Sequence, residues 1–153
     1  MKKVSIAFIK VIRNVLCSLT IGLTIPVLAL ADNVRPVYLE IEERSSGKIQ
    51  VVWKVPLGQG LPDDLRPSFP ERFKVVPPKK NVQTSSAHIE IWEMIAGGGG
   101  LAGAQIGING LVQTTTEALV RIRLSDGSIH RVVLRPTRAV TTIPNARSAE
   151  VKQ

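Results

Sequence analysis

The sequence is poor in cysteine and in aromatic residues. One cysteine, Cys17, occurs among the 153 residues, and aromatic residues make up 4% of the chain. A disulfide within the chain and a zinc site built from several thiolates are therefore excluded. Trp53 and Trp92 are the largest apolar side chains, so we expect them to anchor a core or an interface.

Long apolar runs are also scarce, with a single example near the N-terminus. It extends over residues 15–30 behind a basic stretch and carries Pro26 close to its end. Ala29 and Ala31 give the small-x-small ending that a signal peptidase recognises, so residues 1–31 are predicted to be a signal peptide cleaved after Ala31. An uncleaved membrane anchor is the alternative, but the run is near the short limit for a membrane span.

Cleavage after residue 31 would release an exported chain of 122 residues that contains no cysteine and therefore no cysteine nucleophile. We expect this chain in the periplasm or at the extracytoplasmic face of a membrane. Its apolar strands must then close a core without a disulfide.

Acidic residues are outnumbered in the predicted mature chain. Beyond residue 31 there are 16 Lys and Arg against 12 Asp and Glu, a net charge of +4. The stretch from Arg121 onward has seven basic and two acidic residues, which suits contact with anionic lipid or an acidic partner. A solvated strand face followed by a soluble tail is the plainer interpretation, because the charges alternate with apolar residues. No recognition-helix pattern is present, so no nucleic-acid partner is predicted.

Short runs of alternating apolar and polar residues dominate the rest of the chain. Such runs at 37–42 and 49–55 flank a Ser-Ser-Gly turn, and further runs flank Asp126-Gly127, so each pair predicts a β-hairpin. Between the hairpins, "RFKVVP" is predicted to be a short strand ended by "PPKKN". Residues 83–95 are predicted to form a strand rather than a helix, and residues 104–108 a further strand.

Strands without a convincing helix predict an all-β fold, an antiparallel β-sandwich that is immunoglobulin-like in outline. We place this domain at residues 32–143. Residues 56–70 contain four prolines and two glycines, which predicts a loop or an edge segment. Residues 144–153 are predicted to be a loose C-terminal tail.

A glycine-rich stretch, "IAGGGGLAG" at residues 95–103, fits the dinucleotide fingerprint G-x-G-x-x-G at Gly98, Gly100 and Gly103. The fingerprint works when the glycine turn opens a helix whose N-terminus faces a pyrophosphate. The following residues, "AQIGINGLVQTTT", are too rich in glycine and threonine for a good helix. We therefore predict no nucleotide and no cofactor, and interpret the stretch as a turn between strands whose glycines permit positive φ or close approach to neighbours.

Candidate metal ligands are few. His88 and His130 fall on different predicted strands, and a metal site would need them to converge with Glu90, Glu93 or Asp126. Ordinary histidines on a strand surface are the plainer interpretation.

Candidate catalytic groups are fewer still. Asp63 and Asp64 form an acidic pair in the proline-rich segment, but carboxylates that cleave a glycosidic bond must face each other across the substrate. Sequence neighbours rarely do so, and a solvated turn is the better interpretation. No G-x-S-x-G motif is present either, so we predict a non-enzymatic domain with no catalytic residue.

Five segments of the sequence, taken in order, resemble the extracytoplasmic N-terminal region of HupE/UreJ-family membrane proteins. They are "VRPVYLEIEE" at 34–43, "VVWKVP" at 51–56, "GGLAGAQIGINGL" at 99–111, "ALVRIRLSDG" at 118–127 and "VLRP" at 133–136. The resemblance covers nearly all of the chain beyond residue 31. It implies a β-rich domain exported ahead of a polytopic membrane module related to nickel or cobalt permeases.

Two departures from that family limit what the resemblance implies. Family members often have a cysteine shortly before "GGLAG" and another near "FPE", and Ala96 and Phe73 stand roughly at those positions here. The membrane module and its metal-handling residues have no counterpart, because no apolar segment follows Pro136. The resemblance therefore implies a domain that acts on a membrane partner and is not itself a permease.

Three functions are open at this point. The first is a non-enzymatic exported domain of a HupE/UreJ-like system that contacts an integral membrane protein. The second is a periplasmic metal-binding accessory protein for nickel, cobalt or copper that uses His88 and His130. The third is an exported hydrolase built on Asp63 and Asp64. The sequence gives no oligomeric state.

Overall fold

Two β-sheets enclose the core in the computed structural model, which describes residues 35–145. Within this range the strands are β1 (Val37–Glu43), β2 (Lys48–Pro56), β3 (Arg66–Ser68), β4 (Phe73–Gln83), β5 (Ala87–Ala96), β6 (Gln105–Asn109), β7 (Ala118–Arg123), β8 (Ile129–Leu134) and β9 (Val140–Thr142). A short 3₁₀ turn, Leu111–Gln113, is the sole helical element in this range. The predicted all-β, sandwich-like class is confirmed.

Six strands form one sheet in the order β4-β5-β2-β1-β7-β8, and three form the other in the order β3-β6-β9. Neighbouring strands are antiparallel except β1 and β7, which are parallel, with Val37 opposite Ala118 and Ile41 opposite Ile122. Alternation of apolar residues decides which face of a strand is buried but not the direction of its neighbour. The parallel pair is therefore a feature that the sequence pattern does not reveal.

Both predicted hairpins are present. In the first, β1 and β2 place Leu39 opposite Trp53, and both side chains are fully buried. In the second, β7 and β8 are joined by a turn in which the N–H of Gly127 donates to the carbonyl of Leu124 at 2.9 Å. Gly127 has a φ of 85°, the left-handed conformation that a three-residue hairpin loop requires at this position.

The core lies between the two sheets and forms one cluster. Trp53 is fully buried and Trp92 is 6% exposed, so the prediction that they anchor the core is confirmed. The other large side chains that are less than 2% exposed are Leu39, Ile41, Ile49, Leu65, Met94, Leu101, Ile106, Leu111, Ile122, Leu134 and Ile143.

Strand β4 is longer than the sequence predicts. The short strand "RFKVVP" was expected to end at "PPKKN", but β4 continues through both prolines to Gln83. Its ladder with β5 shifts register between Val76 and Lys80, where a bulge accommodates the intervening residues. The prediction was wrong because β4 is an edge strand, and one side of an edge strand needs no N–H donors. The predicted strands at 83–95 and 104–108 correspond to β5 and β6, and the proline-rich segment contains the short edge strand β3.

The N-terminal end of β4 pairs with the C-terminal end of β5. Phe73, the first residue of β4, lies directly opposite Ala96, the last residue of β5. Directly opposed residues in an antiparallel pair have Cα atoms about 4.5–5.5 Å apart. This spacing lies within the range that a disulfide spans.

The glycine-rich stretch joins β5 to β6. Gly98, Gly99 and Gly100 all have positive φ, as the sequence predicts, and the chain then continues into strand β6. At Gly100, where φ is 62°, a Cβ atom would collide with Oε1 of Glu43. That oxygen accepts the N–H of Leu101 at 3.1 Å, and Oε2 of the same carboxylate accepts the hydroxyl of Ser125 at 3.1 Å. Glu43 therefore joins the glycine-rich stretch to the turn between β7 and β8.

Several predictions fall outside residues 35–145. The signal peptide, its cleavage residues Ala29 and Ala31, and the tail from residue 146 onward belong to this group. Inside the described range there is no helix with the length and apolar character needed to cross a membrane.

Candidate functional site

His88 and His130 lie on the same sheet but far apart. His88 is on β5 and His130 on β8, and three strands separate them. Adjacent strands are spaced by about 4.8 Å, so four spacings put the two strands about 19 Å apart along the sheet. A metal ion binds imidazole nitrogen at about 2 Å, and the two histidines therefore cannot share one ion.

His88 belongs to a small charged cluster at one edge of the core. Oε1 of Glu90 lies 3.5 Å from Nε2 of His88 and 3.6 Å from a guanidinium nitrogen of Arg66 on β3. The side chain of Glu90 is 12% exposed, so Arg66 supplies the positive charge that a largely buried carboxylate needs. Among residues 35–145, no three His, Cys, Asp or Glu side chains are grouped so that they could hold a metal ion.

His130 faces a groove between the two sheets. The groove has a volume of about 340 Å³ and lies where β8 passes the segment that contains β9. Its walls include Ile122, Val132, Thr142 and Pro144. Nε2 of His130 is buried and has no hydrogen-bond partner within the described part of the chain.

Asp63 and Asp64 do not form a facing pair. Asp63 lines an open pocket of about 490 Å³ whose other walls come from residues 55–62, Leu65, Arg66 and His88. Asp64 does not line this pocket, and one of its carboxylate oxygens lies against Gly110. The two carboxylates thus have different surroundings. This arrangement does not place them on opposite sides of a substrate.

Charged and exposed apolar side chains lie together on the outer side of β7 and β8. There Leu119 is opposite Val133, Arg121 is opposite Arg131, and Arg123 is opposite Ile129. The aliphatic members are between 36% and 39% exposed. We call this set of six residues the outer β7–β8 face.

Two arginines directly opposite each other are an unfavourable feature of that face, because like charges across a ladder repel. Glu40, the neighbour of Arg121 on β1, forms a close ion pair with Arg121. Arg131 has no ion pair with any carboxylate in the described residues. It lines a cleft of about 350 Å³ together with Tyr38, Leu119 and Val133.

Tyr38 reports on the electrostatics of this cleft. Its hydroxyl donates to Oε2 of Glu40 at 3.3 Å. Burial, followed by the negative charge of Glu40, raises the pKa of Tyr38 above its usual value of 10.0, although Arg121 and Arg131 act in the opposite direction. The protonated phenol is therefore favoured in the folded chain, and its stabilising contribution is lost as the pH rises above 10.

We expect the absorbance of tyrosinate to rise with a midpoint above pH 10, and Glu40→Gln to lower that midpoint. Tyr38 is the only tyrosine of the chain, so an ultraviolet titration measures it directly. Ser128→Ala is a suitable control, since Ser128 does not contribute to the pKa of Tyr38. An unchanged midpoint in Glu40→Gln would contradict the arrangement.

From the sequence, the basic stretch from Arg121 onward is interpreted as a solvated strand face, and the opposition of Arg121 and Arg131 is not predicted. The Asp126-Gly127 turn could have indicated it, because this turn determines which β8 residues lie opposite those of β7.

The chain matches no protein-family model, no curated protein and no solved structure.

Proposed function

We propose that the chain is a non-enzymatic, exported β-sandwich domain of a HupE/UreJ-like system, and that it binds an integral membrane partner through the outer β7–β8 face. The opposition of Arg121 and Arg131 between exposed aliphatic side chains carries this proposal. A partner that supplies a carboxylate and apolar area would relieve the repulsion and cover the aliphatic groups.

The charge balance around the face supports an acidic contact on the partner. Arg121 is paired with Glu40, and Arg135 donates to Glu117 at 2.7 Å. Three other arginines between residues 121 and 138 have no carboxylate partner within residues 35–145. They are Arg123, Arg131 and Arg138. Arginine is a common anchor residue at protein interfaces, because its planar group binds carboxylates through paired hydrogen bonds.

Three further observations support the proposed export and the proposed relationship to the family. The sequence begins with a basic stretch, an apolar run and a small-x-small ending. The segments that resemble the family include β1, β2 and β7, which are neighbours in the larger sheet. Phe73 and Ala96, the positions at which the resemblance implies cysteines, are direct cross-strand partners.

The proposal is tested by capture from detergent-solubilised membranes of the source organism with the full chain as bait. We expect recovery of a polytopic protein related to nickel or cobalt permeases, and about tenfold weaker binding by Leu119→Asp, which places a charge in the contact. Val112→Asp is the matched control, because Val112 is 64% exposed on the 3₁₀ turn and outside the outer β7–β8 face. Recovery of no such protein, or equal binding by Leu119→Asp and the unaltered chain, would refute the proposal.

A further inference from the structure

Strand β8 has one unpaired edge. It is the last strand of the six-stranded sheet and pairs with β7 alone among the described strands. At the turn, the N–H of Leu124 donates to the carbonyl of Ser128 at 3.0 Å. Hydrogen-bonded pairs alternate along an antiparallel ladder, so His130 and Val132 bond to β7 through their backbones. The backbone N–H and C=O groups of Ile129, Arg131 and Val133 therefore point away from β7.

The two sides of this edge differ in chemistry. The three residues with free backbone groups, Ile129, Arg131 and Val133, have their side chains on the outer β7–β8 face. The intervening residues, His130 and Val132, face the groove of about 340 Å³ between the sheets. An extended segment added along β8 would thus place alternate side chains over the arginines and in the groove.

Charge selects the occupant of the edge. If two copies of the chain paired through β8 with Arg131 at the centre, each Arg131 would lie opposite the Arg131 of the other copy. Arg121 and Arg123 would lie beside this pair, and such a concentration of positive charge is unfavourable. A segment with carboxylates at alternate positions would instead neutralise Arg131. The groove would receive the side chains between the carboxylates. Ile122, Val132 and Pro144 give its lining apolar area for aliphatic groups, and His130, Thr141 and Thr142 line the rest.

We infer that β8 accepts an extended segment of alternating acidic and aliphatic residues from the partner as an additional strand of the sheet. This inference rests on the proposed function and specifies how the partner is held. Backbone hydrogen bonds along the edge provide binding, and the ion pair with Arg131 sets the register.

The test compares Val133→Pro with Val133→Ala in the full chain. Both variants remove the branched valine side chain, but only proline removes the N–H that points away from β7, and no hydrogen bond to β7 is lost. The probe is a labelled, end-blocked peptide of about six alternating valine and glutamate residues, the length of an average strand, with binding measured by fluorescence anisotropy. A peptide with lysine in place of glutamate is the charge control.

We expect the glutamate peptide to bind and the lysine peptide not to bind. Val133→Pro should weaken binding about tenfold relative to Val133→Ala, which corresponds to one lost hydrogen bond. If Val133→Pro does not fold, Arg131→Glu replaces it, and the preference between the two peptides should then reverse. Equal binding of both peptides, equal binding by the two Val133 variants, or no binding of the glutamate peptide at about 1 mM would overturn the inference.

Membrane capture separates this inference from the proposed function. If Val133→Pro captures the membrane protein as well as Val133→Ala does, while Leu119→Asp fails, the partner binds the outer β7–β8 face without adding a strand. If Leu119→Asp also captures the protein normally, the proposed function itself is wrong.

Discussion

Replacement of Trp53 by alanine is expected to lower the free energy of unfolding by about 3–5 kcal/mol. Trp53 is fully buried at the centre of the larger sheet, with Leu39 opposite it on β1 and Glu90 opposite it on β5. Its removal leaves a cavity that the paired strands on both sides cannot easily fill. Denaturant unfolding followed by far-ultraviolet circular dichroism measures the loss, and a change below about 2 kcal/mol would contradict this position for Trp53.

Trp53→Phe is the matched comparison. The indole nitrogen of Trp53 is buried and has no hydrogen-bond partner in the described part of the chain. Phenylalanine keeps much of the ring volume and sacrifices no hydrogen bond, so the expected cost is about 1 kcal/mol. A cost as large as that of alanine would show that the indole N–H makes an interaction absent from this structure.

Gly100→Ala is expected to destabilise the fold by about 2–3 kcal/mol, the second largest effect. The φ of 62° at Gly100 is unfavourable for a residue with a Cβ atom, by about 1–2 kcal/mol. The added methyl group would also displace Oε1 of Glu43 from the N–H of Leu101, at a cost of about 1 kcal/mol. Thermal or denaturant unfolding provides the measurement.

Gly98→Ala separates the two causes. Gly98 has a φ of 84°, but no atom lies within 4 Å of the position that its Cβ would occupy. Its replacement should therefore cost only the backbone strain, about 1–2 kcal/mol. If the two alanine variants are equally stable, the Glu43 carboxylate moves aside without loss and the contact with Gly100 has no energetic role.

Local signals made much of the fold predictable. The β1–β2 and β7–β8 hairpins each combine period-two alternation with a glycine turn, and both signals lie within about 20 consecutive residues. The glycines at 98–100 likewise indicated positive φ without reference to the rest of the fold. These features depend on the chain's own conformational preferences, which is why sequence alone identified them.

Features that depend on distant neighbours were not predictable in this way. Prolines normally end a strand, and β4 continues through them because it lies at the sheet edge and bulges beside β5. The candidate site illustrates the same limit. The turn at Gly127 already places Arg121 opposite Arg131, but Glu40 reaches Arg121 only through the parallel pairing of β1 with β7. Which of the two arginines remains without a carboxylate therefore follows from tertiary structure.

The parallel pairing of β1 with β7 also has a consequence for the order of folding. Glu40 and Arg121 are neighbours in the sheet but 81 residues apart in the sequence. As the chain is synthesised from its N-terminus, β1, β2, β4 and β5 are available first, and β1 is then an exposed strand edge. Glu40 and Glu42 on that strand give it negative charge, which discourages pairing with other chains. The sheet is completed only when a late, arginine-bearing strand reaches this acidic edge, and such long-range closure slows folding.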